Sequence, residues 1–300
     1  MLRWLLFPPV AWKMRSLPRG GQGHAQAGEI TDEVLNAFLD AARVTLEGAD
    51  VVGADAAVPW NRKAFYWEGH AFALAMRQSF GASSSSDRIA APGHRFMYYT
   101  GLGVWQGVAR FLRLPRISLD PQRWLDVDDF LGCRPLLAGG QSFSEVCIRG
   151  RVELSDLAPL AAEGDPGWQI GTYQGAGRAM WFLYMRSPER LVRALEGLGE
   201  HAEYAAEGLG LAITYTQLAD PSWILKMLDA LPATIRPALM RGVRLALAAN
   251  LEDDPRLEPQ LQALPDPLPL WLNQGAEALR YAGRGPEMPD RLRAALCELT

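Results

Sequence analysis

The chain is short of the residues that build most cofactor and metal sites. It has three cysteines, Cys133, Cys147 and Cys297, and four histidines, His24, His70, His94 and His201. So few, oddly numbered and widely spaced cysteines exclude a disulfide framework or a zinc site and fit a reducing, cytoplasmic setting. No phosphate loop, dinucleotide fingerprint, nucleophile elbow, HExxH or CxxC occurs, so neither a metal nor a cofactor is expected. Charge of one sign is also lacking. The 30 Lys and Arg are interspersed with 34 Asp and Glu, which removes the basic footprint of a nucleic-acid partner. Long hydrophobic runs are missing: the stretch 2–7 is stopped by Pro8 and Pro9, far below the roughly 20 residues that span a bilayer. It reads as a strand-like or irregular arm, with membrane contact a minority option, followed by a connector from Ser16 to Gly28.

What is present is an apolar half, 49% of 300 residues, enough for a large buried core. Apolar residues recurring at three and four predict helices over 31–46, 63–80 and 97–112, with a weaker one over 122–131. Further helices are predicted over 172–185, from Pro188, and over 200–218, 221–231, 235–250, 270–282 and 289–299. Ser83 to Ser86, with Asp87 and Gly93, reads as a polar loop. Cys147 to Leu154 reads as a short strand. The expected class is mainly α, a helical bundle. Its expected parts are an arm (1–28), a first helical repeat (29–131), an irregular junction (132–167), a second repeat (168–250) and a helical extension (251–300), forming one cooperative body.

The repeats are suggested by similar spelling. FYWEGHAFALAM from Phe65 matches TYQGAGRAMWFLYM from Thr172, and YYTGLGVWQGV from Tyr98 matches YAAEGLGLAITY from Tyr204, both at an offset of about 108 residues. This implies an internal duplication with pseudo-two-fold symmetry. Each of the four helices has a small pair four residues apart: Gly69 with Ala73, Gly103 with Gly107, Gly175 with Ala179, and Gly208 with Ala212. Such pairs leave a strip where a backbone or a ligand approaches closely. One reading is antiparallel packing of the four helices about the pseudo-axis. The other is a narrow apolar pocket between the repeats, with Glu68, Glu207, His70 and Arg178 as a polar cluster at the helix starts. Near a helix N-terminus the macrodipole disfavours a cation, so Arg178 requires a carboxylate, an anionic ligand or water.

The string Asp126-Val127-Asp128-Asp129 has the DxDD spelling with which class II terpene cyclases protonate an alkene through a carboxylic acid kept neutral. The plain alternative is an acidic surface turn. Glu252 to Pro255 reads as a helix stop.

FYWEGHAF, YYTGLGVW, QGAGRAMWF (Gln174 to Phe182) and EGLGLAITY (Glu207 to Tyr215) resemble signature segments of the UnbL-like family, whose members recur beside enediyne polyketide synthases and in other bacterial biosynthetic loci. The resemblance runs from LRWLLF near the start to about Asn250. Where that family has a stretch resembling DGYGFHEG, this chain has DDFLGCRPLLAGG, with neither the histidine nor the glutamate. The resemblance implies natural-product biosynthesis on a long, apolar, unsaturated substrate.

The leading expectation is a cofactor-independent cyclase or isomerase of a polyene or isoprenoid-like chain. Asp126, Asp128, Asp129, Glu68 and Glu207 are its candidate catalytic carboxyls. His70, Arg178, Trp67, Tyr99, Trp105, Tyr173 and Trp181 are its candidate substrate contacts. The competing expectation is a non-catalytic protein that binds a hydrophobic intermediate or acts as a scaffold. The expected partner is a hydrophobic small molecule, with a homodimer as an option.

Overall fold

The structure is a computed structural model, and it describes residues 25–81, 94–185 and 187–299. The expected arm, most of the Ser16 to Gly28 connector and the loop around Ser83 to Ser86 lie outside the described residues. Among the described residues there are fourteen α-helices and no strand, so the chain is mainly α-helical. No described helix is long and apolar enough to cross a membrane.

Eight long helices carry the architecture: α1 (Ala25–Glu47), α3 (Lys63–Ser79), α4 (Arg95–Leu112), α5 (Val127–Arg149), α7 (Pro166–Tyr184), α9 (Ala202–Gln217), α11 (Arg236–Asp253) and α13 (Leu268–Ala282). Each packs on the next in this order, and their starts are 32 to 39 residues apart. The shorter α2 (Val51–Asp55), α6 (Leu154–Ala161), α8 (Pro188–Glu196), α10 (Ser222–Ala230) and α12 (Glu258–Gln262) lie in the connections, and α14 (Met288–Glu298) ends the series.

Neighbouring long helices run in the same sense. Gly103 and Gly107 of α4 face Leu137 and Gln141 of α5, and Gly171 and Gly175 of α7 face Pro135 and Gly139 of α5, so both members advance together by four. The expected antiparallel packing about a pseudo-two-fold axis is therefore corrected. Parallel neighbours require a return segment in every connection, which the short helices help to supply. Ridges built from residues four apart cross at about 50°, so roughly four steps reverse direction. Accordingly the start of α3 meets the end of α9, where Arg62 Nη1 donates to the Thr216 carbonyl at 3.3 Å. The start of α4 meets the end of α11 through an Arg95–Glu252 ion pair of 2.5 Å. The series coils back on itself.

Glycine makes the neighbours close. A Cβ at Gly177 would overlap the Ala205 carbonyl of α9, and one at Gly208 would overlap the Gln174 carbonyl of α7. The glycine strips are thus largely filled by backbone.

The segment 132–167, expected to be an irregular junction, is mostly helix, and α5 runs straight through the boundary at 131. Asp126 caps α5 by accepting from the Asp129 N–H at 2.9 Å, and Gly150 ends it in the left-handed region at φ 72°. The expected strand from Cys147 is therefore the last turn of α5, a left-handed cap and the start of α6. The weak helix over 122–131 is a 3-10 turn, Pro121–Arg123, followed by α5. The helix predicted from Thr172 begins at Pro166, where the Asp165 side chain accepts from the Trp168 N–H. Arg178 consequently lies more than three turns inside α7, and the macrodipole argument does not apply to it.

Candidate functional site

The coil bounds a half-open cavity of about 110 Å³, several times the roughly 10–15 Å³ that one water needs. Six helices line it, represented by Met97 (α4), Leu136 (α5), Ile170 (α7), Leu211 (α9), Leu245 (α11) and Leu292 (α14). The wall is mainly aliphatic. It forms here because α4, α5, α7, α9 and α11 touch through small residues at their crossings, while their larger side chains point into the space left between them.

Two polar groupings interrupt the aliphatic wall. The first is Arg178 on α7, whose Nη2 donates to Glu68 Oε1 on α3 at 3.0 Å. Glu68 is buried, and burial pushes its carboxyl above the usual carboxylate range although the neighbouring Arg178 opposes this. Glu68 does not line the cavity, whereas Arg178 does, and the Arg178 guanidinium also lies over the Phe143 ring, 5.2 Å from its centroid. The second grouping is Glu207, which accepts from Arg241 Nε at 2.7 Å and Gln174 Nε2 at 3.0 Å and lies 3.4 Å from Arg293 Nε. Glu203 pairs with the same Arg241 and Arg293. The four residues expected as one cluster are thus dispersed. Glu68 and Arg178 meet, Glu207 belongs to the other grouping, and His70 turns to α1. Thr45 Oγ1 donates to the Ala41 carbonyl, so the 2.8 Å contact is His70 Nδ1–H donating to Thr45.

The DVDD string divides by position. Asp126 is the exposed cap of α5 and Asp128 is exposed in its first turn. Asp129 is buried, with Oδ1 accepting from Arg95 Nη1 and Oδ2 from the Tyr99 hydroxyl, each at 2.9 Å. Both oxygens accept, which is the arrangement of a carboxylate rather than of a proton donor. None of the three lines the cavity.

Nor do the expected aromatic contacts. The indoles of Trp105 and Trp181 are fully buried between helices and donate to Ser79 and Thr216 hydroxyls at 2.8 Å. Tyr99 packs near Trp124, Tyr173 stacks on His201 with centroids 3.9 Å apart, and Trp67 stacks on His94 at 4.7 Å. The aromatic residues that do line the cavity are Phe96 and Tyr215.

Sequence reasoning missed the wall from α11, the cover from α14, and Asp253. The α11 wall had a legible signal, because Gly242, Leu245 and Ala249 are spaced three and four apart. Asp253 continues that stripe one turn beyond Ala249. Its Oδ1 is buried without a partner, and burial, reinforced by Glu252, drives its pKa well above the ordinary carboxylate range. Among the described residues no group of three or more His, Cys, Asp or Glu is arranged to hold a metal ion.

Residues 10–258 match a family model described as "Protein of unknown function (DUF1702)". The chain belongs to the DUF1702 family. No curated protein and no solved structure matches it. The DUF1702 match takes in α1 to α11, and hence five of the six cavity helices, but ends before α13 and α14. The cover contributed by α14 lies outside the matched DUF1702 span.

Proposed function

We propose that this protein binds a hydrophobic small molecule in the cavity of the helical coil. The observation that carries the reading is the aliphatic wall converging from six helices, with its charged side chains already paired. Apolar, concave and few in polar contacts is the usual character of a small-molecule site. An aliphatic wall suits an alkyl or alkenyl chain. It offers little of the aromatic surface that stabilises a cation, so capture or shielding of such a chain fits better than carbocation chemistry. The UnbL-like segments suggest the setting, natural-product biosynthesis with a long unsaturated substrate. Native mass spectrometry of the purified chain, followed by organic extraction, tests the reading. An extractable apolar adduct supports it; a ligand-free protein that also ignores added alkyl chains refutes it.

Asp253 favours a second reading, a cofactor-independent cyclase or isomerase. A carboxyl that burial drives toward its neutral form, one turn beyond Ala249 although not itself lining the cavity, has the character of a general acid. Conversion of an unsaturated chain by the wild type, lost in Asp253→Asn and kept in Asp129→Asn, is the pattern this reading requires.

A further inference from the structure

The placement of Arg178 narrows the class of ligand, an inference that rests on the cavity being a site for a hydrophobic molecule. We propose that Arg178 binds the carboxylate head of an amphiphile whose alkyl tail fills the aliphatic part of the cavity. Three cations line the space: Arg178, Arg241 and Arg293. Arg241 and Arg293 share that wall with Glu207 and pair with both Glu203 and Glu207, so a ligand there meets mixed charge. Arg178 differs in its pairing with Glu68 of α3. Of this pair, Arg178 lines the wall and Glu68 does not. The Glu68 contact runs through Nη2, whereas a guanidinium carries five N–H donors in a planar fork suited to a carboxylate.

The remaining neighbours accommodate an anion. Cys147 and Tyr215 lie close enough to act electrostatically on the pair or to be acted on by it. Burial pushes the thiol up to about 12 and raises the phenol well above its usual value, so both are uncharged at neutral pH. Asp253, the largest charge acting on Tyr215, is itself driven toward its neutral form by burial. Burial also favours the protonated form of Glu68, so a ligand carboxylate takes over the guanidinium while Glu68 takes up a proton. The site keeps its net charge.

The test is calorimetric titration of the full-length protein with dodecanoic acid, dodecanol and dodecylamine, which share a tail and differ in head. The acid binds tightest, by on the order of tenfold over the alcohol as a charge-assisted hydrogen bond allows, and the amine binds weakest. Arg178→Lys keeps the order and Arg178→Gln abolishes it. Equal binding of all three by the wild type, or a preference for the amine, overturns the head-group assignment and leaves the hydrophobic site standing. Failure of all three to bind overturns both. The series on the wild type decides the matter even if a variant does not fold.

Discussion

Glu207 of α9 accepts from Arg241 Nε of α11 at 2.7 Å, and the Glu207 carbonyl lies against Gly242, the next residue. Side chain and backbone therefore fasten the same two helices at one point on the cavity wall. Glu207→Gln leaves a buried guanidinium short of a charge partner. Urea unfolding should show a loss of about 3 kcal/mol, at the low end for a broken buried pair because Glu203 still holds Arg241.

The glycine contacts make a sharper contrast. Gly177→Ala forces a methyl group into the Ala205 carbonyl and should cost about 1–3 kcal/mol or more. At Gly197, which ends α8 in right-handed helical conformation with only ordinary van der Waals neighbours, the same change should be neutral or stabilising by up to about 1 kcal/mol. Thermal melts of the two variants check the difference.

His70 gives a pH dependence. Burial, aided by the charge of Arg77, lowers its pKa to about 4, below the value of about 6.5 expected when unfolded. The unfolded state then binds more protons between these values, so the contribution is full above about pH 6.5 and is lost as pH falls toward 4. Allowing for partial exposure, about 2 kcal/mol is at stake. NMR titration of the His70 ring reads the pKa, and His70→Gln should flatten the stability profile over that window.

Much of this architecture was legible and part was disguised. Periodicity and stops gave α11 and α14 to within a few residues, although α11 is buried on nearly every side. The helix α5 was hidden by Gly132, Pro135, Gly139 and Gly140, which read as breakers. They are tolerated because Gly140 receives the Thr100 carbonyl and Gly139 lies beside Gly171 and Gly175. Glu68 and Arg178 were expected in one cluster from the matching spelling of the two segments, and they meet across 110 residues, but nothing in that spelling separated them from Glu207 and His70. The tryptophans misled for a plain reason: large aromatic side chains fill cores as readily as they line ligand sites.

Asp129 separates structure from chemistry. Asp129→Asn weakens the contacts to Arg95 and Tyr99, and should lower stability by about 3 kcal/mol while leaving the affinity of the folded protein for an apolar probe unchanged. Denaturant unfolding and probe titration of the same sample check both parts.

The central claim is that the coil's cavity receives an apolar molecule. Fluorescence titration with the neutral probe N-phenyl-1-naphthylamine, on the wild type and on Leu292→Trp, tests it most directly. Leu292 is on α14 at the cavity, so a larger side chain there occupies the space without disturbing the glycine contacts between the long helices. Saturable binding of one probe per chain, weakened at least tenfold in Leu292→Trp, is predicted; no saturable binding, or equal binding by both proteins, would contradict the account.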